Sequence, residues 1–280
     1  MNVIGIMQGR LSRPPAGRLQ AFPWASWRDE FAAARRAGLG AIEWLLTADG
    51  LPDNPLWSDH GVAEIRGLAG DHAIPVSSVC ADCFIDRPFV RVAAAARAAS
   101  SALLTRVIER SAAAGIPVVL VPVLEGGAIV TAQDERDLFD AIEAPLAVAG
   151  RLGVCVALES DWTGDALRAL IDRPACPALG AYYDVGNAAS RGHDPARDLR
   201  ALGATLRGVH IKDREFGGGS VALGHGAVDW PRFFAALAGS GYAGPLILET
   251  PAGAEPVLMA RRNLAHVKGG LQASRARTAP

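Results

Sequence analysis

Val154-Cys-Val-Ala-Leu-Glu159, Ala181-Tyr-Tyr-Asp184, Leu206-Arg-Gly-Val-His210 and Leu246-Ile-Leu-Glu249 are four consecutive apolar runs, and each stops on a side chain able to bind a metal. Short runs this hydrophobic fit strands covered on both faces of a parallel sheet. Four more precede them, at Val3 to Met7, Ala41 to Leu45, Pro75 to Cys80 and Pro117 to Val121. Helix-like stretches separate all eight, and that alternation is the sign of βα units. No Gly-x-Gly-x-x-Gly turn follows the first run and the chain does not split into halves, so an open doubly wound sheet fits less well than a closed (β/α)8 TIM barrel. In such a barrel the strand C-termini ring one mouth, where residues 25 to 39 apart in sequence can face one point.

Start and stop signals support the helices. Ser26 with Asp29 has capping-box spacing before Phe31 to Ala37, and Gly38 ends that segment. Val92 to Ala114 and Asp134 to Leu152 end at Gly115 and Gly153, and Asp229 can cap a helix with Trp230 and Pro231 in its first turn. Two long segments, Gln8 to Pro23 and Thr47 to His60, are expected to cover the mouth. The domain is read as residues 1–273, with 274–280 as a disordered tail.

With 280 residues and half of them apolar, the chain can bury one large core. Its 28 Lys plus Arg against 29 Asp plus Glu leave a formal charge of -1, which gives no pull toward nucleic acid or an anionic membrane. Four cysteines are too few for a disulfide scaffold, and the start lacks the pattern of a signal peptide, so a cytoplasmic location is expected. No apolar run approaches the roughly 20 residues of a membrane helix.

The three carboxylates and one imidazole at Glu159, Asp184, His210 and Glu249 form a mostly oxygen donor set. Such a set suits one divalent metal ion, Mn²⁺, Mg²⁺ or Co²⁺, with Zn²⁺ also accepted. The bland alternative makes each residue a separate polar cap on its strand. Three buried carboxylates in one mouth without a cation would, however, repel one another and suffer desolvation, which favours the metal reading.

These motifs carry a resemblance. The series Ala157-Leu-Glu159, Tyr182-Tyr-Asp184-Val-Gly-Asn187, Val209-His210-Ile-Lys-Asp213, Gly224-His-Gly226-Ala-Val-Asp229 and Leu246-Ile-Leu-Glu249 resembles the xylose isomerase-like barrels, in the sugar phosphate isomerase/epimerase group. That group includes tagatose 3-epimerases and L-ribulose-5-phosphate 3-epimerases. Gly5-Ile-Met-Gln-Gly-Arg10-Leu-Ser12 and Ala41-Ile-Glu43-Trp44 look like its first two strands. The resemblance implies that Glu159, Asp184, His210 and Glu249 bind the metal and that Glu159 and Glu249 also move protons. It implies a small-molecule sugar or sugar phosphate as partner, isomerised or epimerised through an enediolate, with a homo-oligomer compatible. Asn187 stands where tagatose-type enzymes have histidine, which leans toward the ribulose-phosphate branch.

Around this set, Glu43 is expected to hydrogen-bond substrate or a neighbouring ligand, or to pair with a loop arginine. Lys212, Asp213 and Asn187 are candidates for orienting substrate or the metal ligands. His225, between glycines, is either a substrate contact or solvent-facing. Phe216-Gly-Gly-Gly-Ser220 with Lys212 or Arg214 can cradle a phosphate or be a surface loop. Cys80-Ala-Asp-Cys83 has CxxC spacing but follows the third strand, so a structural role is expected. A lyase acting on a keto-inositol or related polyol is the main competing function. An apurinic endonuclease-like enzyme lacks its histidines and a basic stripe here, and a non-catalytic sugar binder would not need all four ligands.

Overall fold

The eight apolar runs become eight strands whose ends lie within two residues of those expected from the sequence. The computed structural model describes residues 2–13 and 19–278. In chain order the first half comprises β1 (Ile4–Met7), α1 (Asp29–Ala37), β2 (Ala41–Leu45), α2 (Asp59–His72), β3 (Val76–Cys80), α3 (Cys83–Asp86), α4 (Ala94–Ala114), β4 (Val118–Val123) and α5 (Ala132–Leu152). The second half comprises β5 (Cys155–Ser160), α6 (Gly164–Asp172), β6 (Leu179–Asp184), α7 (Val185–Ser190), α8 (Pro195–Leu202), β7 (Leu206–Ile211), β8 (Asp213–Arg214), β9 (Ser220–Val221), α9 (Trp230–Gly239), β10 (Leu246–Leu248) and α10 (Pro256–Thr278). The closed order is β1-β10-β7-β6-β5-β4-β3-β2 with every neighbour parallel, while β8 and β9 form a small antiparallel hairpin outside it. This is the (β/α)8 barrel that the alternation called for.

Alternation along the strands separates two cores. Val156 and Leu158 on β5, Ala181 and Tyr183 on β6, and Val209 and Ile211 on β7 belong to the large cluster between barrel and helices. Ala157, Tyr182 and Ile247 join Met7, Leu45, Cys80, Val118 and Leu120 in a second cluster that fills the barrel. The next residue of inward parity is Glu159 on β5, Asp184 on β6 and Glu249 just past β10. His210 shares that layer, because its strand is bonded Asp184 to His210 and Ile247 to His210. The site is therefore a continuation of the interior core toward the mouth.

Gly208 makes room for this stack. A Cβ there would lie 2.2 Å from the Tyr182 ring, whose buried hydroxyl crosses the barrel to Glu43.

Several local expectations hold and two do not. Gly38, Gly115 and Gly153 end α1, α4 and α5 in the left-handed region, and Asp229 accepts from the Arg232 N–H at the start of α9. Ser26 does not cap α1: its own N–H is bound to the Pro23 carbonyl in a turn, and α1 starts after Arg28 with no side-chain cap. A reciprocal capping box instead opens α5, between Thr131 and Asp134. The stretch expected as a tail from Ser274 continues α10 through Thr278, and Ser274 is buried with its hydroxyl donating to the Phe234 carbonyl. The remaining two positions, 279 and 280, lie outside the described residues. Among the described residues no helix is long and apolar enough to cross a membrane.

Candidate metal centre and active site

Glu159, Asp184 and His210 each offer one ligand atom, and all three atoms lie within 4.8 Å of one another. All three residues are buried. His210 Nδ1 lies 3.8 Å from Glu159 Oε2, 3.7 Å from Asp184 Oδ2 and 3.0 Å from Glu249 Oε2. Glu249 falls outside the 4.8 Å group of three and closes on it from the His210 side.

Glu43 fixes the histidine. Its Oε1 is 2.6 Å from His210 Nε2, while its Oε2 accepts from the Ser78 hydroxyl at 2.6 Å and the Tyr182 hydroxyl at 2.8 Å. Two hydroxyl donors on one oxygen make Glu43 the acceptor toward His210, which places the ring proton on Nε2. Nδ1 then faces the carboxylates, the arrangement in which a metal-binding histidine donates its other N–H to a carboxylate. Glu43 was expected to hydrogen-bond substrate or a neighbouring ligand, or to pair with a loop arginine; its contacts are to His210, Ser78 and Tyr182.

The donor set fits a divalent cation. His210 Nδ1 and Asp184 Oδ2 are buried and make no hydrogen bond of good geometry; ionic contacts to Glu249 and Lys212, each at 3.0 Å, are what they have instead. Oxygen-rich donors with one imidazole match Mn²⁺, Mg²⁺ or Co²⁺.

Charges inside the group are compensated unevenly. Burial pushes Glu159 up to about 8, with Asp184 and Glu249 adding to the rise and His210 and Lys212 opposing it. Burial also acts on Glu249, but there Lys212, His210 and Arg10 win and hold the carboxyl below the usual range. His210 is raised despite burial, because Glu43 and Glu249 favour its cation. Lys212 is raised likewise by Asp184 and Glu249. Its Nζ is 3.0 Å from Asp184 Oδ2 and 2.9 Å from Glu249 Oε1.

The sequence signature described as the xylose isomerase-like TIM barrel matches residues 31–269. The chain belongs to that family. Over 74 residues it is 36% identical to the L-ribulose-5-phosphate 3-epimerase UlaE of Salmonella paratyphi A, a stretch that covers 26% of this chain and 26% of that protein. The match thus spans about a quarter of the curated relative's length. Its fold is similar to a solved L-ribulose 3-epimerase, with TM-score 0.79 and 19% identity over 99% of this chain and 97% of that one. It is also similar to the D-allulose 3-epimerase from Methylomonas sp. solved with D-allulose, with TM-score 0.74 and 21% identity over 96% of both chains. At these identities the structural likeness speaks for the fold.

In this xylose isomerase-like barrel Glu159, His210 and Glu249 line a cavity of about 390 Å³. Its walls include Gln20, Cys80, Asp82, Asn187, Lys212 and Arg214. Asn187 donates from Nδ2 to Glu159 Oε1 at 2.9 Å, its backbone N–H donates to Asp184 Oδ1 at 2.8 Å, and its Oδ1 accepts from Arg214 at 2.8 Å. These three bonds tie Asn187 to Glu159, Asp184 and Arg214.

Asp213 is fully buried and points away from the cavity. Its carboxylate accepts from the N–H groups of Arg214, Gly224, Gly226 and Val228 and from Trp230 Nε1, so it anchors the loop from β9 to α9. A Cβ on Gly226 would sit 2.2 Å from that carboxylate, which explains a glycine there. His225, on the same loop, is exposed and outside the cavity wall. Of the glycine run, Gly219 and Ser220 reach the wall, beside Arg191 and Arg214. Cys80 and Cys83 are buried free thiols, and Cys80 lines the cavity.

Gln20 and Asp82 line the cavity and Arg10 lies beside Glu249, and none of them had been singled out from the sequence as a site residue. Arg10 is buried, donates to the Leu19 carbonyl and the Gln20 side chain, and lies 3.8 Å from Glu249. Gln20 donates to Glu249 Oε1 at 3.0 Å. Asp82 is pushed up to about 6 by burial and by Glu249. Of the two long segments expected over the mouth, the first supplies Leu19 and Gln20, whereas no residue of the second lines the cavity. That second segment packs down instead, with Asn54 Oδ1 accepting from Trp44 Nε1 at 3.1 Å.

Proposed function

We propose that this protein is a divalent-metal-dependent epimerase or isomerase of a small ketose or ketose phosphate. The observation that carries the reading is His210, held by Glu43 through Nε2 and turning Nδ1 toward the Glu159, Asp184 and Glu249 carboxylates, beside a sugar-sized cavity that Glu159, His210 and Glu249 line. Glu159, Asp184, His210 and Glu249 would hold the ion. When bound, it supplies electrostatic stabilisation of the negative charge that develops on a carbonyl oxygen as the neighbouring carbon loses its proton.

The chain's own residues supply the proton transfers. Glu159 follows from β5 and Glu249 from β10, strands three places apart around the ring of eight, so the two carboxylates flank the cavity from different sides. One removes a proton from the carbon beside the carbonyl and the other returns a proton to the opposite face, which inverts that centre. Return to the neighbouring carbon gives aldose-ketose isomerisation instead. Asn187 holds Glu159 in position, as Gln20 and Arg10 hold Glu249. Arg191, Arg214 and the Gly219-Ser220 backbone along one wall suit a phosphate at the far end of the substrate, in keeping with the phosphorylated substrate named for the UlaE relative.

The test follows deuterium from D₂O into a panel of ketoses and their phosphates by NMR, alongside product identity. Wild type should exchange one substrate hydrogen and give an epimer or isomer of unchanged mass. Glu159→Gln and Glu249→Gln should each lower turnover by about 10²- to 10⁴-fold, the range for general acid-base groups. Near-normal turnover in both variants removes them from proton transfer, and a product lighter by one water identifies a lyase.

A further inference from the structure

Lys212 occupies the position of a cation among groups that a metal would also claim. It follows His210 by two residues and therefore leaves the strand on the same inward side. Its ammonium is buried and touches one oxygen each of Asp184 and Glu249, at 3.0 and 2.9 Å. Asp184 Oδ2, the oxygen it approaches, makes no hydrogen bond of good geometry, so the ion pair is what holds it.

An ammonium and a divalent ion cannot share these carboxylates at close range, because like charges a few ångströms apart in a buried site repel strongly. One must withdraw. Arg10, a second basic side chain beside Glu249, lies 3.8 Å from the carboxylate and is tied to Leu19 and Gln20. Among the described residues Lys212 bonds the two carboxylates and no other group; it lies in the cavity wall and has a flexible four-carbon stem.

We propose that Lys212 is a built-in counter-ion of the metal centre: it holds Asp184 and Glu249 until a divalent ion enters, and loading is an exchange in which its ammonium swings off them into the cavity. The inference rests on the metal reading above. It makes the unloaded protein stable at the expense of metal affinity.

The full-length chain, stripped of metal, is titrated with Mn²⁺ by calorimetry, and its melting temperature is recorded with and without the ion. Lys212→Met should melt lower than wild type when stripped, bind Mn²⁺ tighter by on the order of tenfold or more, and gain more in melting temperature on loading. Lys212→Arg keeps the charge and should stay near wild type in Mn²⁺ affinity. If stripped Lys212→Met does not fold, refolding on Mn²⁺ addition supports the exchange and failure to refold overturns it. Affinity in Lys212→Met equal to or weaker than wild type overturns it, as does a Mn²⁺-loaded structure with the ammonium still on both carboxylates. Wild type that binds no Mn²⁺, Mg²⁺ or Co²⁺ sinks the metal reading itself, a result separate from any of these.

Discussion

Ala157 and Glu159 point into the barrel from one strand, as do Tyr182 and Asp184 from the next, yet the lower layer is packing and the upper layer is charge. The lower residues join Met7, Leu45, Val118, Leu120 and Ile247 in one cluster, and the Tyr182 hydroxyl is satisfied by Glu43. The upper residues bury three carboxylates together, with Lys212, Arg10 and His210 as partial compensation. One step of the strand repeat converts a stabilising position into a costly one, and costly buried charge is kept where it serves chemistry. Tyr182 and Glu43 span the boundary: the tyrosine ring packs below and its hydroxyl steadies the carboxylate that steadies His210.

The sharpest way to break this contrast is to damage the lower layer alone. Leu120 is fully buried in it, and Leu120→Ala should cost about 2–5 kcal/mol of stability through lost burial and a cavity. Mn²⁺ affinity of the folded variant should stay near wild type. A variant of unchanged denaturation midpoint that fails to bind the ion would show the layers are not separable.

A smaller effect comes from a buried carboxyl served by neutral donors. Glu30 accepts from the Gly9 N–H at 2.9 Å and the Ser12 hydroxyl at 2.7 Å, and burial pushes it up to about 7 from the ordinary 4.5. The folded chain then keeps this proton to higher pH than the unfolded chain. Its contribution is therefore fully favourable below about pH 4.5 and is lost as pH rises through about 7, a change of roughly 3 kcal/mol. Glu30→Gln should remove that slope. Unfolding free energies measured from pH 4.5 to 7.5 should show the variant gaining on wild type as pH rises; parallel curves would contradict the assignment.

The strands and the polar residues that end them were legible because both are local patterns, an apolar run and the residue that ends it. Glu159, Asp184, His210 and Glu249 needed only the barrel's parallel order to be brought together. Gln20 and Asp82, which line the cavity, and Arg10, which lies beside Glu249, were not legible, since they arrive from loops whose paths depend on tertiary packing. Asp213 shows the same limit from the other side. Three residues from His210, it was expected to orient substrate or the metal ligands, yet its carboxylate is taken up by four backbone N–H groups and an indole. Lys212 was read as an orienting residue, but its place between Asp184 and Glu249 belongs to three strands at once and to no motif. The helix through Ser274 was missed because burial against Phe234, and not composition, holds it.

The most direct test of the central claim is a Mn²⁺ titration of the stripped wild-type chain followed by electron paramagnetic resonance, with His210→Ala beside it. Four strand-end ligands converging on one point require about one tightly bound ion per chain, and removal of the only neutral ligand should weaken binding by on the order of 10- to 100-fold or more. No bound ion in the wild type, or the same affinity in both proteins, would contradict it.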